Sequence, residues 1–407
     1  MKCYLSLLMV TIFWNTYSYA QFYSSEIDTY TSFLEKQNET AKDYVLKLFE
    51  KHDVVVLCER NHGEMTQYDL IYDIVKSEYF QEYVGNVFTE VGTVDNRARV
   101  ENFIHTNYTS DVVKTAEQLD MYRGMVYGLW DKTNYYNFIG KLNTLNNTLS
   151  QDRRINLYVS NVRNPSEEET TSIDKFKKYF NAVWGAGRDS IMAQNIITTF
   201  DTIKLQSTRK KALVIMNYRH AFSKSLSTDG YINTGDYLKR HYQDKFANVL
   251  INGLALIPEV DKKSINKPKV FQDMTQTLVQ EGKWDAAFKV LGKDSIGFTF
   301  NDSPFGKDNF DLWLYTNDYE YQDIFTGYVY YLPIENHWES EGVENITKGY
   351  EEDIYKKNSL LMKALGISPY DINEISKSSN IKNKKYDDLD KLILMREQWL
   401  KSDTNGY

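Results

Sequence analysis

The stretch that decides the fold runs Val54-Val55-Val56-Leu57-Cys58-Glu59-Arg60-Asn61-His62-Gly63-Glu64. Its apolar half is too short for a helix and rich in valine, which is typical of a buried strand. Gly63 permits a turn, and a helical pattern follows it. Ligands bind at the carboxyl ends of strands in open α/β sheets, so Glu59 and His62 form a candidate site. A helix cap and an ordinary loop histidine are the competing interpretation of these two residues.

Further apolar runs predict six more strands, at residues 86–90, 154–160, 211–217, 246–254, 295–300 and 328–332. Helical spacing fills the intervals, including a helical excursion over residues 95–149 that contains no strong strand. This alternation predicts an α/β fold with a mostly parallel or mixed central sheet flanked by helices. We expect one elaborated domain over residues 21–335 and a C-terminal helical segment, residues 336–407, packed on it.

The amino terminus has the pattern of a signal peptide. A positive residue, Lys2, precedes an apolar stretch, and Ser18-Tyr19-Ala20 suits cleavage before Gln21. We therefore expect residues 1–20 to be removed and the protein to be periplasmic or secreted. No later segment approaches 18 uninterrupted apolar residues, so no stable membrane insertion is expected.

The charge of the chain limits the classes of molecule that it is expected to bind. The formal net charge of the 407-residue chain is -8, and no large basic stripe is visible, which argues against nucleic acid. A small-molecule substrate is the expected partner, and the oligomeric state stays open.

Proton-transfer side chains follow several predicted strands. They are Glu59, His62, Glu90 and His220. A right-handed crossover from the first strand to the second brings Glu90 to the edge that carries Glu59 and His62. Arg188 opens a later helix, with Asp189 in its first turn complementing the helix dipole. Together these residues predict a polar pocket with acid–base capacity.

Three of these segments resemble motifs of the erythromycin esterase-like family. They are Glu59-Arg60-Asn61-His62-Gly63-Glu64, similar to the family's Glu-X-X-His-Gly; Arg188-Asp189-Ser190-Ile191-Met192-Ala193, similar to Arg-Asp-X-X-Met-Ala; and Asn217-Tyr218-Arg219-His220-Ala221, at the strand-end histidine motif. The resemblance spans residues 50–335. The wider group includes Tiki-type metalloproteases and ChaN-like haem-binding proteins, so the fold alone does not fix the activity.

The resemblance implies a hydrolytic site in which His62 activates water for attack on an ester. Glu59 and Glu90 match the family's pocket carboxylates, and His220 matches its later histidine. A histidine near neutral pKa can take a proton from water if a carboxylate fixes its tautomer. Arg188 could stabilise the developing oxyanion, although a structural salt bridge with a carboxylate is the favoured interpretation.

Two positions depart from the family pattern. Ile71 stands where the family usually has an arginine, and Asn217 replaces the first of two histidines. These losses argue against macrolide hydrolysis. Three functions stay open: an ester hydrolase without a cofactor, a non-catalytic periplasmic protein that binds haem or another small ligand, and a hydrolase whose divalent metal is held by Glu59, His62, Glu90 and His220.

Overall fold

The computed structural model describes the chain over residues 23–185, 187–225, 232–258, 274–313, 319–369 and 371–401. The predicted signal peptide lies outside these ranges. Within them, every helix is too short or too polar to cross a bilayer.

A seven-stranded sheet and a separate hairpin contain the first nine strands. They are β1 (Val54–Glu59), β2 (Asn86–Thr93), β3 (Asn156–Asn161), β4 (Ala212–Asn217), β5 (Phe246–Ile251), β6 (Leu254–Pro258), β7 (Met274–Leu278), β8 (Ser295–Thr299) and β9 (Gly327–Tyr331). The sheet has the order β3-β2-β4-β1-β5-β9-β8, and only β8 runs antiparallel to its neighbour. All seven predicted strands are present, and the predicted α/β fold is confirmed. The β6–β7 hairpin is an addition that the sequence patterns do not predict.

Helices cover both faces of the sheet. They are α1 (Asp28–Leu34), α2 (Ala41–Leu48), α3 (Thr66–Val75), α4 (Arg97–His105), α5 (Asp111–Arg123), α6 (Thr133–Asn146), α7 (Ile173–Tyr179), α8 (Arg188–Gln206), α9 (Thr234–Tyr242), α10 (Lys283–Leu291) and α11 (Tyr321–Ile324). Alternate residues of β1 enter the two cores: Val54 and Val56 face one, and Val55 and Leu57 face the other. Burial of both faces explains why the strands are continuous apolar runs. The predicted excursion consists of α4, α5 and α6.

The C-terminal segment combines three helices with a short antiparallel pair of strands. They are α12 (Glu351–Ala364), α13 (Ile372–Lys377), α14 (Leu389–Gln398), β10 (Glu339–Glu341) and β11 (Lys382–Lys384). Bridges from β10 to Glu64 and Lys132 join the segment to the loop after β1 and to the start of α6. The boundary at residue 335 stays a prediction.

The strand order corrects one detail of the expected site. Strand β4 lies between β1 and β2, so Glu90 reaches the site from the second neighbour of β1. Strand β4 ends at Asn217, level with Glu59, and the Glu90 carboxylate accepts a hydrogen bond from the backbone N–H of that last residue. The carboxylates therefore share an edge without belonging to adjacent strands.

A buried ion pair fixes the loop after β1. Arg60 Nη1 lies 2.9 Å from Glu64 Oε2, and the two side chains are 1% and 0% exposed. Arg60 also donates to Asn252 Oδ1 over 2.6 Å. The Glu64 carboxylate accepts from the backbone N–H groups of Thr66 and Gln67. The network satisfies both charges and positions the residues between them, including His62.

Replacement of Glu64 by alanine is expected to lower the free energy of unfolding by about 3–5 kcal/mol, because it leaves the Arg60 charge buried without its partner. Chemical denaturation followed by circular dichroism measures this loss. The control is Lys357→Ala, which breaks an exposed pair with Asp353 and should cost about 1 kcal/mol or less. Equal losses in the two variants would contradict a role for the buried pair.

Candidate active site at the carboxyl edge of the sheet

His62 lies between two buried carboxylates. Its Nδ1 is 3.1 Å from Glu59 Oε2, and its Nε2 is 3.6 Å from Glu90 Oε1. The carboxylate side chains are 2% and 3% exposed, whereas that of His62 is 19% exposed. One carboxylate therefore orients the ring through Nδ1, and solvent can reach the ring.

Two aromatic residues hold this pair. The Tyr68 hydroxyl, from α3, donates to Glu59 Oε1 over 2.5 Å. Burial raises the pKa of Tyr68 well above its ordinary value, so the hydroxyl stays a donor. The Trp130 ring packs edge-on against the His62 ring, with centroids 5.0 Å apart. Helical spacing presents Tyr68 only as an apolar position, and nothing in the sequence pattern marks Trp130.

Glu90 is surrounded by hydrogen-bond donors and positive charge. Its Oε1 lies 3.3 Å from Arg188 Nη2 and 3.9 Å from His220 Nε2, and its Oε2 accepts from the Asn217 backbone N–H over 2.7 Å. Burial on its own would raise the carboxyl pKa, but the positive charges of His220 and His62 in their protonated forms, together with that of Arg188, outweigh it and lower the pKa of Glu90 to about 2. Glu90 is therefore a permanent anion and a weak proton acceptor near neutral pH.

His220 is engaged at both ring nitrogens. Its Nδ1 lies 2.9 Å from Asp189 Oδ1, and Arg188 Nη1 donates to its Nε2 over 2.9 Å. Because arginine can only donate, the Nε2 lone pair accepts and the proton sits on Nδ1. Asp189 also accepts from the Thr234 backbone N–H over 2.9 Å. Asp189 is thus a direct partner of His220, a role beyond the helix-dipole effect; its adjacency to Arg188 is the sequence signal that could have shown it.

Arg188 links the two halves of the site. Besides Glu90 and His220, it contacts Asn161 Oδ1 through Nε over 3.1 Å. The guanidinium carbon lies 5.2 Å from the centre of the Trp184 ring. These contacts use three of its five N–H groups and leave two without a partner among the described residues. The salt bridge expected for Arg188 is present, and Glu90 is its partner.

The pKa of His62 is raised above its ordinary value. Burial alone would lower it, but the negative charges of Glu90 and Glu59 outweigh burial. The ring is therefore a stronger base than a free histidine, and its Nε2 has no hydrogen-bond partner among the described residues. Among the residues assembled here, His62 is the group best matched to proton transfer with water.

The two departures from the family pattern have different consequences. Ile71 is fully buried in the core and brings no polar group to the site. Asn217 keeps a polar role: its Nδ2 donates to the Arg60 carbonyl over 2.9 Å, and its Oδ1 accepts from Arg219 Nε over 3.1 Å. Its backbone N–H also serves Glu90.

Glu59, His62 and Glu90 each offer one ligand atom within 4.8 Å of the other two. Such donors suit a divalent metal. The surroundings do not suit a metal ion. His62 Nδ1 is already hydrogen-bonded to Glu59, and the positively charged Arg188 lies beside Glu90. A metal on Glu90 Oε1 would face this fixed positive charge. No reaction step is therefore assigned to a metal.

Two clefts lie beside the site, one lined by His62 and the other by its neighbour Trp130. The first has a volume of about 650 Å³ and is lined by His62 itself, Arg219, Leu254 and Leu312. The second, of about 1350 Å³, lies between the excursion and the C-terminal segment, and Trp130 and Trp184 form part of its wall. We call the second one the aromatic cleft.

Fold and site together define an α/β protein with a histidine–carboxylate–arginine centre at the carboxyl edge of its sheet. No protein-family model and no curated protein matches the chain. Its fold is similar to that of a succinoglycan biosynthesis protein, with 9% identity, a TM-score of 0.47, and coverage of 70% of this chain and 89% of that one.

Similar structures also include a mutant of the erythromycin esterase EreC in its open conformation, with 9% identity, a TM-score of 0.43, and coverage of 76% of this chain and 96% of that one. A haem-bound ChaN of Campylobacter jejuni has 15% identity and a TM-score of 0.33, and covers 56% of this chain and 90% of that one. Both carry the names of proteins in the wider group that the sequence motifs resemble. These likenesses concern the fold alone.

Proposed function

We propose that the protein is an exported, metal-independent hydrolase in which His62 activates water for attack on an ester or related bond of a small molecule. The observation that carries this proposal is the position of His62 between Glu59 and Glu90, with Nδ1 hydrogen-bonded to Glu59. That bond places the proton on Nδ1 and leaves the Nε2 lone pair to act on water.

The reaction needs only groups that the chain supplies. His62 Nε2 takes a proton from water while the water oxygen bonds to the carbonyl carbon, which gives a tetrahedral oxyanion. Collapse of that intermediate breaks the bond to the leaving alkoxide, and His62 returns the proton to it. The products are a carboxylic acid and an alcohol, and the imidazole ends neutral.

Arg188 is assigned to the oxyanion. Its two unused N–H groups and fixed charge can stabilise an oxygen that becomes negative only in the transition state. Its contacts to Glu90, His220 and Asn161 hold it in place beforehand. His220 is a positioning residue in this scheme, because both of its nitrogens are already used.

The test is hydrolysis of a panel of 4-nitrophenyl esters with acyl chains of increasing length, with and without EDTA. We expect release of 4-nitrophenol above the buffer rate for at least one ester, unchanged by the chelator. Loss of activity with EDTA, restored by added Zn²⁺, would replace this mechanism with a metal-dependent one. No hydrolysis of any ester would favour the non-catalytic binding function, which absorbance spectroscopy after haem addition then examines.

A further inference from the structure

The aromatic cleft is linked to the proposed catalytic groups through two indole rings. Trp130 contacts the His62 ring, Trp184 stacks on Arg188, and both indoles line the cleft. A molecule held there would lie one side chain away from the base and from the oxyanion-binding group. Tyr127 adds a third aromatic side chain to the lining.

The opposite wall comes from α12. Its Leu361 and Met362 line the cleft, and both side chains are only half-buried. The apolar patch of this helix is therefore turned toward an open space. A concave cleft with a mostly apolar lining and a few polar groups is the usual form of a small-molecule site.

The loop that carries Trp130 packs closely against α12. Gly128 has φ +97°, and a Cβ at this position would lie 2.6 Å from Asn358 Oδ1 on α12. The next residue, Leu129, has φ +144° without being glycine. Backbone strain of this kind costs about 1–3 kcal/mol and persists where the surrounding structure enforces it, as at ligand sites.

Charges at the rim do not select an ion. Glu341 is paired with Lys132, and Glu374 is paired with Lys377. Asp131 and Lys382 add one further charge of each sign to the lining, so the charges balance, and the cleft offers aromatic rings and apolar side chains beside a few polar groups. Such a lining favours an uncharged planar ring that can stack or meet the indoles edge-on.

We propose that the aromatic cleft binds an uncharged aromatic group of the substrate, next to the bond on which His62 and Arg188 act. The assignment of the bond rests on the proposed function, whereas binding of the aromatic group in the cleft does not depend on that function. The substrate class becomes esters that carry an aromatic ring on their alcohol or acyl side.

The test measures binding and catalysis separately, with a matched pair of variants. Ser378 lines the cleft, so Ser378→Trp fills it. Ser376 is exposed on α13, so Ser376→Trp adds the same side chain outside the cleft. Met362→Ala removes apolar wall without filling the cleft and serves as a second cleft variant. Circular dichroism and thermal unfolding establish that the three variants are folded.

Binding is measured by calorimetry with 2-naphthol and with its saturated counterpart, decahydro-2-naphthol. We expect wild type and Ser376→Trp to bind 2-naphthol alike. Ser378→Trp, Met362→Ala and the change to the saturated ligand should each weaken binding, by about 10-fold for the filled cleft, which corresponds to the loss of one or two aromatic contacts. No binding of 2-naphthol, or equal binding in Ser378→Trp, would overturn the proposal. Equal binding of the saturated alcohol would overturn the aromatic preference.

Catalysis is followed as kcat/KM for 2-naphthyl acetate relative to butyl acetate. The proposal predicts that this ratio falls in Ser378→Trp and stays unchanged in Ser376→Trp. An unchanged ratio in Ser378→Trp contradicts the proposed cleft while leaving the hydrolase intact. Normal 2-naphthol binding without hydrolysis of any ester contradicts the proposed function while leaving the cleft intact.

Discussion

Replacement of His62 by alanine is expected to lower kcat/KM for ester hydrolysis by about 10²- to 10⁴-fold, the range that a positioned general base contributes. The reason is that no other group in the site can replace it. Glu90 is held ionised with a pKa of about 2, and both nitrogens of His220 are engaged. Initial rates on the best 4-nitrophenyl ester measure the loss.

The matched control is His241→Ala. His241 is a 42%-exposed histidine on α9 whose Nε2 lies 2.9 Å from Asp201 Oδ2. It has a carboxylate partner, as His62 does, but lies outside the site, so its loss should leave kcat/KM within the experimental error. A His62→Ala enzyme with near wild-type activity would exclude His62 as the base.

The pH profile provides a second measure of the same role. His62 must be neutral to accept a proton, and Glu90 and Glu59 raise its pKa. Activity should therefore fall as the pH drops through a midpoint above the ordinary histidine value of about 6.5. Glu59→Gln removes one of the two charges that raise this pKa, so the midpoint of kcat/KM should move to lower pH. A midpoint that Glu59→Gln leaves in place would show that another group titrates.

The sheet could be predicted from the sequence because its strands are buried on both faces. Runs such as 54–58 and 212–216 are continuous and apolar, and the polar residues that end them mark the site edge. The β10–β11 pair could not be predicted in this way. Lys382-Asn383-Lys384 is exposed and polar with no period, and it pairs with residues 339–341 across a long sequence separation, partly through the Lys384–Glu339 ion pair.

The same distinction applies within the site. Glu59, His62, Glu90 and His220 could be placed together because each lies at or just beyond the predicted carboxyl end of a strand in a mostly parallel sheet. Asp189 and Trp130 act through contacts with residues far away in the chain, and local pattern carries no information about such contacts. For Asp189 alone, the adjacent Arg188 is a sequence signal of a role in the site. Partners of this kind become visible when the packing of the helices is known.

Replacement of Arg188 by alanine is expected to lower kcat by about 10²- to 10³-fold, the loss seen when one oxyanion-stabilising donor is removed. Its removal also changes the electrostatics of the site. Glu90 loses a partner 3.3 Å away, and the Nε2 atom of His220 loses its donor. Without Arg188, no fixed positive charge remains between the Glu90 carboxylate and the imidazole lone pairs of His62 and His220.

The variant should therefore gain affinity for Zn²⁺, which prefers imidazole and carboxylate ligands, whereas the wild-type site should bind it weakly because Arg188 occupies the position of a cation. Calorimetric titration with ZnCl₂ compares the two proteins, and Arg240→Ala, which removes an exposed arginine paired with Asp236, is the control. Tight stoichiometric Zn²⁺ binding by both wild type and control would mean that the metal displaces the Arg188 side chain from its position. In that case the metal-dependent mechanism would replace the one proposed. Binding confined to Arg188→Ala would instead establish that one arginine separates a metal-free hydrolytic site from a metal site built on the same histidines and carboxylate.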